Sequence, residues 1–306
     1  MTLPATSDGT RLEALLTEAW NANGADLDLR STSELVALMN AEDATVPPAV
    51  AGASSAIATA IDAIAARLES GGRLIYVGAG TSGRLALVDA AECESTFAAS
   101  SGLVVALIAG GPASTATAQE QAEDDADAGA RELRALTVGG QDAIVGISAS
   151  GRTPYVLGAV EEARRSGALT VGVVSVEDSP VGRAVDHEIA ILVGPEIIAG
   201  STRLKAGTAQ KLVLNMISTI AMVRLGKTFG NLMVDVIATN EKLRARVRRI
   251  VALASGASAV EVEAALDAAG GDAKIAIVSL LAGVDADTAR LRLGHANGIV
   301  RRALAE

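Results

Sequence analysis

The stretch LIYVGAGTSGR, residues 74–84, places a short apolar run directly before glycines at 78, 80 and 83. An apolar strand that runs into a glycine-rich turn and then a helix is typical of a βα unit whose backbone N–H groups bind a phosphate. The G-x-G-x-x-G spacing is that of a dinucleotide site. Whether the ligand is a dinucleotide or another phosphate depends on what the neighbouring strands carry.

Four more apolar runs follow and alternate with helical patterns. The runs are residues 103–109, 142–148, 168–176 and 187–193, and helices are predicted over 115–136 and 154–166. Strands that alternate with helices form βαβ units. The pattern predicts an α/β fold with a doubly wound, mostly parallel five-stranded sheet, preceded by helices and followed by a small all-α domain.

The two ends of the chain differ in pattern from the sheet region. Residues 1–30 are polar and irregular, and a long apolar helix is predicted over 204–225, before several short helical patterns beyond residue 240. We therefore predict an N-terminal arm over 1–30, a main domain over 31–235 and a helical domain over 236–306.

The composition limits the possible partners. Half of the 306 residues are hydrophobic but only 2% are aromatic, so the core consists of Ala, Val, Leu and Ile, which suits helices packed on a parallel sheet. The net charge of −10 argues against a nucleic-acid partner, because binding to a phosphate backbone needs a basic surface. We interpret the basic run from Lys242 to Arg249 as an exposed helix face.

Cysteine and histidine are scarce. The chain has one cysteine, Cys93, and two distant histidines, His187 and His295, which argues against a disulfide framework and against a metal site. Cys93 is expected to be a small buried side chain and no nucleophile. The N-terminus lacks the pattern of a signal peptide and no apolar run reaches 18 residues, so we expect a cytoplasmic protein with no membrane partner.

The dinucleotide interpretation fails at the second strand. A dinucleotide site needs a carboxylate about 20 residues after its glycines, at the tip of the next strand. Here that strand ends LIAGGP (107–112), without an acid. The first loop instead has Thr81 and Ser82 at the start of its helix, and hydroxyls beside free N–H groups suit a terminal phosphate monoester.

A second loop repeats this chemistry. GISASGRTPYV (146–156) also follows an apolar strand and opens a helix, and Ser150-Gly151-Arg152 repeats Ser82-Gly83-Arg84. Serine and glycine in such loops also serve as helix caps and turn residues. Two such loops at the carboxyl edge of one sheet favour a shared phosphate site.

Three blocks resemble the sugar isomerase (SIS) fold and, more narrowly, the family of N-acetylmuramic acid 6-phosphate etherases. They are residues 71–93, 146–164 and 194–219, the last continuing through 226–244. The resemblance implies a homodimer that cleaves the lactyl ether of this phosphosugar, giving N-acetylglucosamine 6-phosphate and D-lactate during cell-wall recycling. It also implies the residues that bind the substrate, which are Gly80, Thr81, Ser82, Ser148, Ser150 and Thr153.

The resemblance also implies two catalytic carboxylates. The family's Asp-Ala-Ser-Glu-Cys motif is matched by residues 89–93, which gives Glu92, and its Glu-Gly-Ala-Glu-Asp motif by residues 120–124, which gives Glu123. The chain departs from the family pattern at Ala91 for serine and at residues 94–95, Glu-Ser for Pro-Pro. Ser148 stands where many etherases have alanine.

The reaction chemistry fits two carboxylates. Opening the sugar ring exposes an aldehyde and makes the C2 proton acidic, so a base can remove it while an acid protonates the departing lactate oxygen. No metal or organic cofactor is required. Because residues 90–93 (AAEC) suggest an apolar setting, Glu92 is favoured as the proton donor and Glu123 as its partner, although the sequence does not assign each proton.

The segment GSTRLKAGTAQK (200–211) has two interpretations. Arg203 and Lys205, with the N-terminus of the long helix, can receive the lactyl carboxylate or close the sugar site. Alternatively, the segment caps the helix and contacts another subunit. The apolar helix itself belongs either in the core or between subunits.

Two other functions remain as alternatives. The glucokinase regulatory protein shares these blocks and senses phosphosugars without turnover, but it is about twice as long and has two SIS domains. An aldose–ketose phosphosugar isomerase also removes a C2 proton, but the third block and the AAEC motif argue against it.

Overall fold

The computed structural model describes residues 16–115, 120–236 and 240–306. These residues divide into two compact units. The first combines the described residues up to Asp89 with Val105–Ile217, and the second combines Ala90–Val104 with the described residues from Ser218 to Glu306. The domain limits at residues 30 and 235 stay predictions.

A five-stranded sheet forms the centre of the first unit, with strand order β2-β1-β3-β4-β5. The pairs β1–β3, β3–β4 and β4–β5 are parallel. The strands are β1 (Leu74–Gly78), β2 (Val104–Ile108), β3 (Ala143–Ser148), β4 (Leu169–Val174) and β5 (His187–Ala190). The α/β fold and all five predicted strands are confirmed.

Helices cover the sheet, which explains why every residue of β1, β3 and β4 is buried. The helices that begin in this unit are α1 (Thr32–Asp43), α2 (Val46–Gly52), α3 (Ser54–Glu69), α4 (Gly80–Phe97), α5 (Ala126–Ala135), α6 (Pro154–Arg165), α7 (Pro180–Ala184) and α8 (Lys205–Arg224). Most of the apolar positions of these helices and strands are filled by aliphatic side chains, as the low aromatic content predicts, with Tyr76 and Tyr155 as buried aromatic exceptions.

One predicted helix is shorter than expected. Residues 111–115 and 120–124 form 3-10 turns, residues 116–119 lie outside the described residues, and the α-helix begins only at Ala126. The reason is local, because the Asp125 side chain accepts a hydrogen bond from the Ala128 N–H and caps α5.

The described part of the predicted arm contacts the first unit. Residues 16–29 contain three 3-10 turns, and the Asn21 and Asn23 amides donate to Glu42 of α1 at 3.0 and 2.9 Å. Asn21 also donates to the Pro195 carbonyl at 3.2 Å. Hydrogen bonds therefore hold residues 16–29 against the first unit. Residues 1–15 lie outside the described residues.

The second unit is mostly helical, as predicted for the tail. It contains a short hairpin, β6 (Thr228–Phe229) with β7 (Leu232–Met233), and the helices α9 (Glu241–Ser255), α10 (Ala259–Ala268), α11 (Ala273–Ala282), α12 (Ala286–His295) and α13 (Val300–Ala303). Its aliphatic core includes Val251, Ala276 and Ile277.

The basic run of α9 lies on an exposed face, as expected. Arg248 pairs with Glu263 at 2.9 Å and with Glu241 at 3.4 Å, and these side chains are 43–74% exposed. Cys93 is 2% exposed and packs with Phe97 and Met222, which confirms that it is a buried side chain.

Within the part of the chain that the structure describes, no single helix is long and apolar enough to cross a membrane. The segments Thr32–Gly52 and Ser54–Glu69 reach the required length and composition only when taken together, and they are bent by 60°.

Candidate active site

The turn after β1 depends on its glycines. Gly80 has φ +53°, which favours glycine, and a Cβ at Gly78 would lie 2.8 Å from the Gly83 nitrogen. Helix α4 can therefore begin at once, with Thr81 and Ser82 in its first turn, where most N–H groups have no partner within the helix. The turn thus forms the strand–turn–helix arrangement that the sequence predicts.

The loop after β3 brings three hydroxyls together. Ser148 ends the strand and is 2% exposed, and its Oγ lies 2.9 Å from Thr153 Oγ1 and 3.4 Å from Ser150 Oγ. Thr153 directly precedes α6 but makes no side-chain cap bond, so its hydroxyl belongs to this cluster. Gly151 turns the chain with φ +63°, and a Cβ there would lie 2.3 Å from the Ser179 Cβ.

Both loops lie at the same edge of the sheet. Strands β1 and β3 are parallel neighbours with Gly78 opposite Ile147, so their carboxyl ends are adjacent. The structure therefore brings together all six residues predicted to bind substrate, namely Gly80, Thr81, Ser82, Ser148, Ser150 and Thr153. Their binding role stays a prediction.

A third loop at this edge was missed in the sequence. Ser175 follows β4, donates its N–H to the Ala149 carbonyl at 3.0 Å and is 1% exposed. Its Oγ has no hydrogen-bond partner among the described residues. This loop was missed because it lacks the Ser-Gly-Arg tripeptide of the other two loops. The signal that could have found it is a serine directly after a buried strand.

Helix α8 packs against the β1 loop. The Ser82 hydroxyl donates to Gln210 Oε1 at 2.9 Å, and a Cβ at Gly207 would lie 3.4 Å from Thr81 Cγ2. Gln210 is 1% exposed, and sequence reasoning missed it. The signal for it was a polar residue among the apolar positions of a helix, one turn before Val213 and Leu214.

The N-terminus of α8 already holds a carboxylate. Glu196 is 1% exposed, and its two carboxylate oxygens accept from the backbone N–H groups of Lys205 and Ala206, both at 3.0 Å. A carboxylate at this position satisfies the positive end of the helix dipole. This cap comes from Glu196, which lies outside residues 200–211, so both interpretations of the segment stay predictions.

The Lys205 side chain is also committed to another residue. Its Nζ lies 2.6 Å from Glu42 Oε2, and the two side chains are 6% and 10% exposed. Burial alone would raise the pKa of Glu42, but the hydrogen bonds from Lys205 and Asn23 outweigh it, so the pKa lies below its ordinary value. Arg203, by contrast, is exposed.

Asp89 anchors the middle of α4 in the first unit. It is 5% exposed and accepts from the Tyr76 hydroxyl at 2.9 Å and from Asn215 Nδ2 at 2.8 Å. These bonds tie α4 to β1 and α8.

Glu92 lies in the second unit, one turn further along α4. Ala90 and Cys93, three residues apart, are on the buried face, whereas Glu92 falls outside that face and is exposed. The expectation of apolar surroundings for Glu92 in the single chain is therefore wrong, because neighbours in a helical sequence point in different directions.

Glu123 lies in the first unit, in the 3-10 turn 120–124, and is exposed, as the acidic run suggests. The catalytic roles of Glu92 and Glu123 stay predictions. Among residues 16–115, 120–236 and 240–306, no three His, Cys, Asp or Glu side chains are grouped so that they could hold a metal ion.

Comparison with known proteins identifies related families. The model of the glucokinase regulatory protein N-terminal SIS domain matches residues 56–164, and the SIS domain model matches residues 121–220. A solved phosphoheptose isomerase from Neisseria gonorrhoeae superposes with a TM-score of 0.50 at 20% identity, over 62% of this chain and 98% of that one. This likeness shows the fold alone.

Two curated relatives cover nearly the whole chain. An N-acetylmuramic acid 6-phosphate etherase from Rubrobacter xylanophilus is 59% identical over 296 residues, which are 97% of this chain and 98% of the relative. One from Streptomyces avermitilis is 58% identical over 294 residues, 96% of this chain and 94% of the relative.

Proposed function

The chain belongs to the family of N-acetylmuramic acid 6-phosphate etherases, and we propose that it is an enzyme that cleaves the D-lactyl ether of N-acetylmuramic acid 6-phosphate. The products are N-acetylglucosamine 6-phosphate and D-lactate, in the recycling of peptidoglycan amino sugars. The observation that carries the proposal is the identity of 59% over 97% of the chain.

The two loops after β1 and β3 supply the phosphate site. Ser82, Ser148, Ser150 and Thr153 provide hydroxyl donors next to the first turns of α4 and α6. Hydroxyls and helix N-terminal N–H groups bind a phosphate monoester without requiring a cation.

The reaction is an elimination followed by an addition. In the open-chain sugar, a base removes the C2 proton, the C3–O bond breaks, and an acid protonates the departing lactate oxygen. Water then adds its hydroxyl to C3 and a proton to C2 of the unsaturated aldehyde. The sum is substrate plus water giving N-acetylglucosamine 6-phosphate plus D-lactate, so no redox partner is consumed.

Glu92 and Glu123 are the proposed acid–base pair, with Glu92 favoured as the acid. Each such group contributes about 10²–10⁴ in rate. Both side chains are exposed in the single chain. A carboxyl that acts as an acid near neutral pH needs its pKa raised by burial or by a like charge. A second copy of the chain that covered this carboxyl would supply the burial.

A homodimer is part of the proposal. Helix α8 exposes Met216, Ile220 and Val223, which are 37%, 38% and 46% exposed and are spaced as one face of a helix. An exposed apolar stripe of this kind suits a contact with a second copy. Ile220→Glu is expected to convert a dimer to a monomer in light scattering, and a wild-type monomer contradicts this part. We place the enzyme in the cytoplasm.

The decisive experiment measures D-lactate from N-acetylmuramic acid 6-phosphate. The wild type is expected to release lactate, and Glu92→Gln is expected to lower kcat by at least 10²-fold. Glu94→Gln is the matched control, because Glu94 is an exposed glutamate on the same helix. Wild-type protein that binds the phosphosugar but releases no lactate refutes the enzyme and favours the phosphosugar-sensing alternative, which the match at residues 56–164 also suggests.

The phosphate loops are tested separately. Ser82→Ala and Thr153→Ala are each expected to weaken binding of N-acetylglucosamine 6-phosphate about tenfold, because each removes one hydrogen bond to a charged group. Unchanged dissociation constants for both variants contradict the two-loop site while leaving the activity itself open to the lactate assay.

A further inference from the structure

The contact between Ser82 and Gln210 leaves one polar group unpaired. Ser82 is 9% exposed and Gln210 1% exposed, and the serine Oγ lies 2.9 Å from Gln210 Oε1. In this arrangement the serine hydroxyl donates and the amide oxygen accepts. The amide Nε2 then has no partner among the described residues, although it is fully buried.

This arrangement conflicts with phosphate binding. A serine hydroxyl has one proton, and a phosphate monoester dianion only accepts hydrogen bonds. While the Ser82 proton is donated to Gln210, it cannot be donated to a phosphate. The same arrangement also leaves a buried N–H donor unsatisfied, which is rarer in proteins than an under-satisfied carbonyl.

One rotation pairs the amide N–H and frees the serine proton. The oxygen and nitrogen of an amide are nearly equal in size, so turning the Gln210 amide by 180° exchanges them without other movement. Nε2 then lies 2.9 Å from the Ser82 Oγ, at the position that Oε1 holds now, and donates to it. The serine proton is released and can point away from Gln210.

We propose that Gln210 is a positioning residue for the phosphate of the substrate. In the complex its amide Nε2 donates to Ser82 Oγ, and the Ser82 hydroxyl donates to a phosphate oxygen. Gln210 itself does not touch the phosphate and acts through Ser82. The inference rests on the proposed function for the identity of the ligand and extends it to the direction of this hydrogen-bond chain.

The test compares two substitutions of Gln210 by calorimetric binding of N-acetylglucosamine 6-phosphate. Gln210→Glu introduces an ionised carboxylate, which only accepts, so it retains the Ser82 proton and repels the dianion. At pH 7.5 its dissociation constant is expected to rise at least 10- to 100-fold. Gln210→Met has a similar volume and neither donates nor accepts, so it frees the proton, and a rise of less than about fivefold is expected.

The pH profile separates positioning from a structural role. Burial raises the pKa of the introduced carboxyl, and once protonated it donates to Ser82 as the amide does. The ratio of the Gln210→Glu and wild-type dissociation constants is expected to fall from pH 7.5 to pH 5.5, because the introduced carboxyl takes up a proton and its repulsion of the phosphate ends. For Gln210→Met the same ratio stays constant.

Three results overturn the proposal. The first is a folded Gln210→Glu protein whose dissociation constant for N-acetylglucosamine 6-phosphate lies within threefold of the wild-type value at pH 7.5. The second is an equal rise in the dissociation constants of Gln210→Glu and Gln210→Met at every pH. If Gln210→Glu does not fold, the cycle of Ser82→Ala with Gln210→Met decides, because the proposal requires the two losses to be non-additive and additivity contradicts it. Wild-type protein that does not bind the phosphosugar refutes the proposed function itself, and the inference with it.

Discussion

Replacing Lys205 by methionine tests the buried ion pair of the first unit. The substitution leaves an unbranched side chain that is one atom shorter and removes its charge. The Lys205 Nζ and Glu42 Oε2 are 2.6 Å apart and almost fully buried. Without Lys205, Glu42 keeps only the amide donors of Asn21 and Asn23.

The expected loss is large. Breaking a buried ion pair by removing one partner costs about 3–5 kcal/mol, and the two remaining amide bonds place Lys205→Met near the lower limit, at about 3 kcal/mol. For a unit of this size each kcal/mol lowers Tm by about 2–4 °C, so the shift is about 6–12 °C. Total stabilities are about 5–15 kcal/mol, so the variant still folds.

The loss depends on pH in a defined direction. The folded-state pKa of Glu42 lies below 4.5, so the pair stabilises the protein above about pH 4.5 and the stabilisation is lost as the pH falls through the folded-state pKa. The difference in Tm between wild type and Lys205→Met is therefore largest at neutral pH. It diminishes as the pH falls and Glu42 takes up a proton in the variant, where its pKa is higher than in the wild type because the Lys205 charge is gone.

Unfolding is followed by circular dichroism for the whole chain and by fluorescence anisotropy of Trp20, the single tryptophan, which lies next to Asn21 in the first unit. Glu161→Gln is the control, because it breaks an exposed pair with Arg165 at 3.7 Å, 62% and 59% exposed. A shift below about 2 °C is expected there.

The double variant Glu42→Gln/Lys205→Met is expected to regain most of the loss, because no charge then stays buried without a partner. Equal shifts for Lys205→Met and Glu161→Gln would refute the reasoning. The reasoning is also refuted if the double variant is no more stable than Lys205→Met.

Three further outcomes follow from the structure. Gly151→Ala is expected to lower the free energy of unfolding in urea by about 2–5 kcal/mol, because the φ of +63° is strained for alanine and the new Cβ meets Ser179. Gly71→Ala is the control, because Gly71 has φ +87° but open space around it, and its loss is expected to be about 1 kcal/mol. Burial and two neighbouring carboxylates raise the pKa of Glu188, so the ionised form of this side chain destabilises the fold. Glu188→Gln should therefore raise Tm by about 1–4 °C at pH 7. This gain should disappear as the pH falls below 4.5, because Glu188 is then protonated in both the folded and the unfolded wild type. Glu196→Gln should cost about 1–2 kcal/mol, measured by the same unfolding curves, and an unchanged midpoint would contradict its role as the cap of α8.

Local patterns predicted the sheet and its loops well. The run at 74–78 and the glycines after it determine strand, turn and helix within ten residues, and the same holds for 143–153. The predicted helix over 115–136 is confirmed only for residues 126–135, because the decisive signal for its start was one residue, Asp125, whose capping role was not weighed against the acidic run around it.

Contacts between distant residues were not predictable in this way. Glu42 and Lys205 are 163 positions apart and Ser82 and Gln210 are 128 apart, so no spacing along the chain relates them. The exposure of Glu92 had a local signal, since Ala90 and Cys93 define the buried face of α4 and leave the two residues between them, Ala91 and Glu92, outside it.

The charges around α8 explain what kind of ligand the sheet edge can select. Lys205 is neutralised by Glu42, and the positive end of the α8 dipole by Glu196, so α8 offers an incoming anion no free charge at either position. What it presents to the β1 loop is the neutral amide of Gln210 against Ser82. In the proposed site the phosphate is bound through directional hydrogen bonds from hydroxyls and backbone N–H groups, whose strength depends on the positions of the acceptor oxygens. Such a site distinguishes a tetrahedral phosphate from a planar carboxylate by geometry, which a single lysine ammonium would not do.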